Sequence, residues 1–165
     1  MSETALCRDR LSRFCKGVGV DLGFGGDPIV PTAITIDMNP GFNPNICGDA
    51  RFLRRWFSPG ALDYVYSSHL LEDFIPEQTE EILADWVDAT GPGGFLVLYL
   101  PNETVYRRVC MEKGLEYNLN HKCPDMSLDY IKGIIAGLDE RLVEIVYEKA
   151  HCEDYSFEIV LKVKW

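Results

Sequence analysis

Short apolar segments, separated by glycine-rich or polar turns, recur along the chain. Such segments are typical of β-strands that are buried in a sheet. Four of them predict strands: Gly19–Leu22, Ala33–Asp37, Leu62–Ser67 and Phe95–Leu100. Ile46–Cys47 predicts a further, very short strand between the second and third of these segments.

Helical periodicity occurs between the predicted strands. The clearest case is Pro76–Ala89, whose apolar residues share one face opposite Glu and Asp side chains. Four further helices are predicted, at residues 3–16, Ala50–Phe57, Val105–Lys113 and Ser127–Leu138. Ser127 has the side chain of a good N-cap for the last of them.

The end of the chain carries two alternating patterns, Leu142–Lys149 and Tyr155–Lys164, which predict an antiparallel hairpin. The chain contains no repeat or linker, and 165 residues suit one domain with a sizeable core. We therefore predict a single α/β domain over residues 1–165. Its sheet is doubly wound and mostly parallel, with a C-terminal antiparallel hairpin.

Composition limits the partners and the compartment. The formal net charge is −10, which argues against nucleic acid because phosphate binding relies on clustered Lys and Arg. No apolar run reaches the length of a membrane span, and the first residues lack a secretory signal pattern. Six cysteines without C-x-x-C spacing predict free thiols in a reducing compartment. We expect a cytoplasmic protein without a membrane partner.

The stretch Gly17–Asp37 combines a strand, a glycine-rich turn and a second strand that ends in an acid. These are the parts of a nucleotide-binding crevice at the carboxyl ends of parallel strands. A plain strand-to-turn connection has the same local pattern. Asp37, taken alone, is equally compatible with a helix N-cap or a loop acid.

Five short motifs follow one another in order: Asp21–Gly25, Asp37, Gly48–Ala50, Ser67–Glu72 and Gly91–Gly94. Their order, and the order of the strands and helices, resembles that of class I S-adenosylmethionine-dependent methyltransferases. The first motif matches the acid-x-Gly-x-Gly loop of that family. The motifs cover residues 17–100, and the order of elements extends the resemblance to Trp165.

The resemblance implies S-adenosylmethionine as the cofactor. The first two motifs imply how part of this cofactor is held. Gly23 and Gly25 would let the backbone approach the cofactor where a Cβ would clash. Asp21 would lie near the methionine ammonium. Asp37 would accept hydrogen bonds from the ribose hydroxyls.

The later motifs imply the remaining contacts of the cofactor. Asp49 would lie beside the adenine, with the Ala50 amide near it. Ser67 and Ser68 would line the methionine end, and His69 would face the substrate side as the candidate catalytic residue. A histidine titrates near neutrality and can act as a general base. The alternative, which the sequence favours slightly, is a His69 side chain that is satisfied by neighbouring backbone.

The chain departs from the family pattern at two points. Asp27 stands where the loop has a third glycine, and only Asp27–Thr32 separates this loop from the second strand. A parallel crossover usually needs a dozen or more residues and a helix, so we predict a shortened crossover between strands 1 and 2. A dinucleotide pyrophosphate relies on a helix N-terminus there, whereas cationic S-adenosylmethionine does not.

Two clusters rich in metal-binding residue types, 121–125 and 151–154, lack the spacing of a zinc site. We predict no metal. The loop-like segment 101–126 follows the fifth predicted strand, so it is expected to cover the substrate side of the crevice. Tyr99, Tyr106 and Tyr117 are candidates to line it.

The predicted function is methyl transfer from S-adenosylmethionine to oxygen or nitrogen of a small molecule or saccharide. A non-catalytic S-adenosylmethionine-binding or regulatory module on the same fold is the first alternative. A nicotinamide-dependent oxidoreductase is the second, and the shortened crossover argues against it.

Overall fold

A computed structural model describes residues 1–139 and 142–165. Its centre is a seven-stranded sheet in the order β3-β2-β1-β4-β5-β7-β6. The strands are β1 (Gly19–Leu22), β2 (Ile34–Asp37), β3 (Ile46–Cys47), β4 (Leu62–Ser68), β5 (Thr90–Pro101), β6 (Val143–Cys152) and β7 (Ser156–Val163). Strands β1 to β5 pair in parallel, and β7 pairs antiparallel with β5 and β6. The predicted mostly parallel sheet with a C-terminal hairpin is confirmed.

In the described part of the chain, four α-helices accompany the sheet: α1 (Glu3–Leu11), α2 (Pro76–Ala89), α3 (Glu103–Lys113) and α4 (Leu128–Gly137). Three of them begin at a side chain that accepts a backbone N–H, as N-caps do. Ser2 accepts from Ala5, Asn102 from Val105, and Ser127 from Tyr130. Within residues 1–139 and 142–165, no helix is both long and apolar enough to cross a membrane.

The two faces of the sheet are covered by different helices. On one face, apolar residues of α2 and α4 pack against alternate residues of the strands, including Val20, Leu22 and Val65. On the other face, Cys7 and Leu11 of α1 pack against the intervening strand residues. This arrangement follows from the two-residue period of a strand, which sends successive side chains to opposite faces. The sheet is therefore doubly wound, as predicted.

The predicted shortening of the crossover between β1 and β2 is confirmed, since residues 23–33 contain no helix. Ile29 in this crossover is buried against the α1 face of the sheet. The Asp21 carboxylate accepts a hydrogen bond from the Ile29 amide at 2.7 Å. Arg8 of α1 pairs with Asp27 and donates to the Pro28 carbonyl. Helix α1 and these polar contacts hold the crossover in place without a helix of its own.

The predicted helix at Ala50–Phe57 is wrong, because only Leu53–Arg55 forms a single 3₁₀ turn. The Asp49 side chain accepts the Arg51 amide at 3.0 Å, a local bond that competes with helix formation. Asp85 of α2 accepts the Leu53 amide at 2.5 Å. A helix that began at Ala50 would instead bond the Leu53 amide to the Asp49 carbonyl, so the Asp85 side chain replaces a bond that the helix would need.

The fifth strand begins at Thr90, five residues before the predicted start at Phe95, so the glycine segment 91–94 is part of β5 and not a turn. A Cβ on Gly91 would lie 2.7 Å from the Gly60 carbonyl oxygen, and a Cβ on Gly94 would lie 2.7 Å from that of Asp63. The glycines therefore allow close backbone approach, and the register between β4 and β5 shifts at this point.

Candidate functional site

A cavity of about 710 Å³ opens at the carboxyl ends of β1, β2 and β4. Six of the predicted site residues line it: Gly23, Gly25, Asp37, Asp49, Ala50 and His69. The strand order reverses here, because β1 lies between β2 and β4. Open α/β sheets bind their ligands at such a switch point.

The glycine loop leaves space on its cavity side. Gly23 and Gly25 have φ values of +65° and +58°, a conformation that residues with a Cβ adopt at a cost. A Cβ on Gly23 would lie 3.0 Å from Leu70. A Cβ on Gly25 would meet no atom closer than 3.9 Å. The exposed backbone at Gly25 is therefore a surface that a ligand can approach closely.

Asp37 occupies the end of β2 and is partly exposed. Its Oδ2 accepts the Gly25 amide at 3.2 Å, and its Oδ1 accepts the Asn39 amide at 2.8 Å. A carboxylate has about four acceptor positions. Asp37 therefore supports the glycine loop and can still accept hydrogen bonds from a ligand.

Asp49 and Ala50 follow β3 and form another wall of the cavity. Arg51 donates to Asp49 from Nη2 at 2.6 Å, and this hydrogen bond is the main cause that lowers the pKa of Asp49. The buried Trp86 indole N–H donates to the Ala50 carbonyl at 2.9 Å. These contacts fix the backbone at Ala50, whereas the Asp49 charge is largely offset by its own Arg51.

Three predicted site residues do not line the cavity. Asp21, Ser67 and Ser68 are buried at the carboxyl ends of β1 and β4. Asp21 Oδ1 and both serine hydroxyls have no hydrogen-bond partner among the described residues. Burial raises the pKa of Asp21 to about 7. These residues lie at the base of the loops that form the cavity, and each has a polar side-chain atom that makes no hydrogen bond within the described residues.

His69 lines the cavity, but both of its ring nitrogens face protein groups. Nε2 shares a hydrogen bond of 3.1 Å with Ser156 Oγ, and Nδ1 lies 3.4 Å from Glu72 Oε1. The backbone has a φ of +47°, and its amide donates to the Tyr99 carbonyl at 2.9 Å. Burial lowers the pKa of His69 to about 3. The imidazole is therefore neutral near pH 7.

The cavity also contains residues to which the sequence analysis assigned no individual role. They are Met38, Phe42, Gly48, Leu70, Asp73, Phe74, Asn120 and Lys122. Leu70 is part of the Ser67–Glu72 motif, and Asp73 and Phe74 follow it directly, so an extension of that motif would have included them. Asn120 and Lys122 come from the segment predicted to cover the site.

The three tyrosines proposed to line the substrate side of the crevice do not line the cavity. Tyr99 is fully buried. Tyr106 packs against His121 and Tyr155, with ring centroids 4.9 Å apart in both cases. Tyr117 lines a separate surface pocket. The part of the segment that reaches the cavity is therefore the polar turn at Asn120 and Lys122.

Asp27 faces α1 rather than an open phosphate site. It accepts from Ser2 Oγ, the main cause that lowers the pKa of Asp27, and it pairs with Arg8. Arg8 offsets its charge, so Asp27 would repel a pyrophosphate only weakly. The lack of a helix in residues 23–33 remains the stronger argument.

Within residues 1–139 and 142–165, no group of three or more His, Cys, Asp or Glu side chains could hold a metal ion. His121, from one of the two clusters considered, lies 2.9 Å from Glu103 through Nδ1. All six cysteines, which lie within these residues, are free thiols.

No protein-family model matches the chain, and no curated protein matches its sequence significantly. Solved structures do match it. A SAM dependent methyltransferase from Archaeoglobus fulgidus is 19% identical, with 96% of this chain and 94% of that chain covered and a TM-score of 0.71. The PH0226 protein from Pyrococcus horikoshii is 14% identical, with 97% and 89% covered and a TM-score of 0.73.

The N-methyltransferase NodS from Bradyrhizobium japonicum is a further structural match. It is 15% identical, with 99% of this chain and 94% of that chain covered and a TM-score of 0.68. NodS has also been solved in complex with S-adenosyl-L-homocysteine. The chain therefore has the fold of class I S-adenosylmethionine-dependent methyltransferases, as its sequence predicted.

Proposed function

We propose that this protein is an S-adenosylmethionine-dependent methyltransferase that acts on oxygen or nitrogen of a small molecule or saccharide. The observation that carries the proposal is the cavity of about 710 Å³ at the switch point of the sheet. The glycine loop, Asp37, Asp49–Ala50 and His69 converge there from the carboxyl ends of β1, β2, β3 and β4. Structural neighbours described as methyltransferases, one of them solved with S-adenosylhomocysteine, support the same reading.

The residues of the cavity fit this cofactor. Asp37 can accept from the ribose hydroxyls, and the open space at Gly25 admits the adenosyl group close to the backbone. Leu70 and Phe74 offer apolar contact to the adenine. Lys122 and Asp73, which lie together in the cavity wall, match the carboxylate and ammonium of the methionine end.

The bound cofactor supplies a methyl group that its sulfonium already activates, so the protein has to position the acceptor more than to create a reactive group. Six residues from the segments after β4 and β5 also line the cavity: His69, Leu70, Asp73, Phe74, Asn120 and Lys122. We assign the acceptor to this part of the cavity, beside His69. Its neutral imidazole orients the acceptor, and its engaged nitrogens make it a weak proton acceptor by itself.

A non-catalytic S-adenosylmethionine-binding module is the second candidate. Its support is that Nε2 of His69 shares a hydrogen bond with Ser156 Oγ and that Nδ1 faces Glu72 Oε1 at 3.4 Å, so neither nitrogen points into open space. Binding of the cofactor without turnover across a broad acceptor panel would favour it. A nicotinamide-dependent oxidoreductase has less support, because no helix follows the glycine loop to receive a pyrophosphate.

Calorimetric titration with S-adenosylhomocysteine tests the proposal. We expect a dissociation constant between about 1 μM and 1 mM and no measurable heat with NAD⁺. Asp37→Ala is expected to weaken binding by about tenfold or more, because it removes charge-assisted hydrogen bonds to the ribose. The control is Asp88→Ala, which removes an exposed carboxylate at the opposite edge of the sheet. The proposal fails if the folded protein does not bind, or if both variants bind like the wild type.

A further inference from the structure

A second cavity, of about 320 Å³, lies at the C-terminal end of α2. Six of the described residues that line it are apolar: Pro59, Ala84, Val87, Leu138, Leu142 and Trp165. We call these six residues, together with Asp88, the Trp165 pocket. Its volume falls within the range of small-molecule sites, about 300–1,000 Å³, and its lining is apolar as in most of them.

The Trp165 pocket is separate from the cavity that we assign to the cofactor. Phe74 of that cavity lies just before α2, whereas Val87 and Asp88 lie in the last turn of this helix. The helix between Pro76 and Asp88 is about 18 Å long. The two cavities share no described residue, so a ligand of the Trp165 pocket would not occupy the cofactor site.

Backbone hydrogen bonds hold the walls of the pocket in place. The Gly60 amide donates to the Asp88 carbonyl at 2.8 Å, which fixes the turn before β4 against the end of α2. The Lys164 amide donates to the Leu142 carbonyl at 2.7 Å, which fixes the backbone next to Trp165. The Trp165 ring packs over Gly60, where an added Cβ would lie 2.8 Å from the ring. The pocket is therefore formed before any ligand enters, which lowers the cost of binding.

Apolar surface of the pocket remains open to water. Trp165 and Leu142 are 43% and 36% exposed, and Ala84 is exposed on the neighbouring turn of α2. An apolar group that covers this surface binds favourably, in proportion to the area that it removes from water. The pocket therefore favours a ligand with an apolar body.

Asp88 gives the pocket a negative charge. It is the one charged residue among the described residues of the lining, and its exposed carboxylate has no hydrogen-bond or ion-pair partner among them. The last turn of α2 contains no basic residue. The carbonyl end of a helix carries partial negative charge, which is stabilised by a cation and destabilised by an acid. The Asp88 side of the pocket therefore favours a cation.

The indole of Trp165 suits the same type of ligand. Its apolar ring adds contact area, and of the aromatic side chains tryptophan attracts a cation to its face most strongly. A neutral apolar molecule would gain only the apolar contacts. An anion would be repelled by Asp88.

We infer that the Trp165 pocket is a second binding site, which takes a small organic cation with an apolar body. The apolar body lies against Trp165, Val87 and Leu142, and the ammonium group lies at Asp88. This site goes beyond the proposed function and does not depend on it, because no residue of the cofactor cavity takes part.

NMR titrations of the protein test this inference. The probes 2-phenylethylamine, 2-phenylethanol and phenylacetate have similar shapes and carry positive, zero and negative charge. Ethylamine carries the positive charge without the ring. The indole N–H signal of Trp165, identified by its loss in Trp165→Phe, reports binding in the pocket, and the Gly25 amide signal reports binding in the cofactor cavity.

We expect saturable shifts of the Trp165 signal with 2-phenylethylamine. Its affinity should exceed that of 2-phenylethanol by at least about fivefold, the combined effect of an exposed ion pair and a cation–π contact. Phenylacetate and ethylamine should not saturate the signal, because the first is repelled and the second lacks the apolar body.

Variants test the two parts of the pocket separately. Asp88→Asn keeps the shape and removes the charge, so it should weaken amine binding by about threefold or more and leave alcohol binding unchanged. Asp9→Asn, which changes an exposed acid of α1, is its control. Ala84→Phe fills the pocket and should abolish binding, whereas Ala136→Phe changes an exposed alanine of α4 outside the pocket and should not. Thermal melts verify that each variant folds.

Several outcomes overturn the inference. They are equal binding of the amine and the alcohol, no saturable shift of the Trp165 signal, shifts that are confined to Gly25, and unchanged amine affinity in Asp88→Asn. Unchanged binding in a folded Ala84→Phe also overturns it. If Ala84→Phe does not fold, Asp88→Asn decides, because it changes an exposed side chain at a helix end.

Discussion

Gly25→Ala is expected to weaken S-adenosylhomocysteine binding by about two orders of magnitude, equivalent to about 2.8 kcal/mol. The reason is local geometry. A Cβ at this position has no atom of the protein within 3.9 Å, so the fold can accommodate it. The same Cβ enters the space through which the cofactor approaches the loop backbone. The φ of +58° adds a stability cost of about 1–2 kcal/mol.

Gly114→Ala is the matched control for this prediction. Gly114 caps the end of α3 with a φ of +63°, and an added Cβ there would meet nothing within 4 Å. Both variants should therefore lose similar stability in thermal melts, whereas only Gly25→Ala should lose affinity in calorimetry. Equal affinity in the two variants would show that the glycine loop is not a ligand surface.

Asp21→Asn is expected to change the pH dependence of folding stability. Burial raises the pKa of Asp21 from 3.8 in the unfolded chain to about 7 in the fold. Between these values the folded state holds the proton and the unfolded state releases it, so the free energy of unfolding falls as pH rises. The loss is about 1.4 kcal/mol per pKa unit, or about 4 kcal/mol by pH 7.

Asparagine keeps the acceptor for the Ile29 amide and cannot ionise. The wild type and Asp21→Asn should therefore be equally stable near pH 4, and the variant should become the more stable one as pH rises to 7. Denaturant unfolding at a series of pH values measures this difference. Asp63→Asn is the control, because Asp63 also accepts one backbone amide, from Val18 at 2.8 Å, but is exposed. Parallel pH profiles for all three proteins would contradict the raised pKa of Asp21.

The strands and the long helices could be predicted because their signals are local. The apolar run at Phe95–Leu100 and the amphipathic face of Pro76–Ala89 belong to single elements, and the structure has both. The error at Ala50–Phe57 has a non-local cause. Asp85, more than thirty positions away, supplies the acceptor for the Leu53 amide, and no window around residue 53 contains that information.

The candidate site also contains residues that local sequence could locate and residues whose position depends on distant contacts. Residues that directly follow strands, such as Gly25 and Asp37, could be located because parallel strands bring their carboxyl ends to one edge. Lys122 could not, since its turn is held by long-range bonds. The Lys122 and Cys123 amides both donate to the Glu72 carbonyl, at 2.8 and 3.0 Å. Their position at the cavity is set by contacts between distant parts of the chain.

The central claim is that the cavity between the glycine loop and His69 holds S-adenosylmethionine. A crystal structure of the protein with S-adenosylhomocysteine tests it most directly. We expect the ribose hydroxyls at Asp37, the adenine beside Asp49 and Ala50, and the sulfur directed toward His69. A ligand bound elsewhere, for example in the apolar pocket at Val87 and Trp165, or no bound ligand in a crystal that contains the intact fold, would contradict the claim.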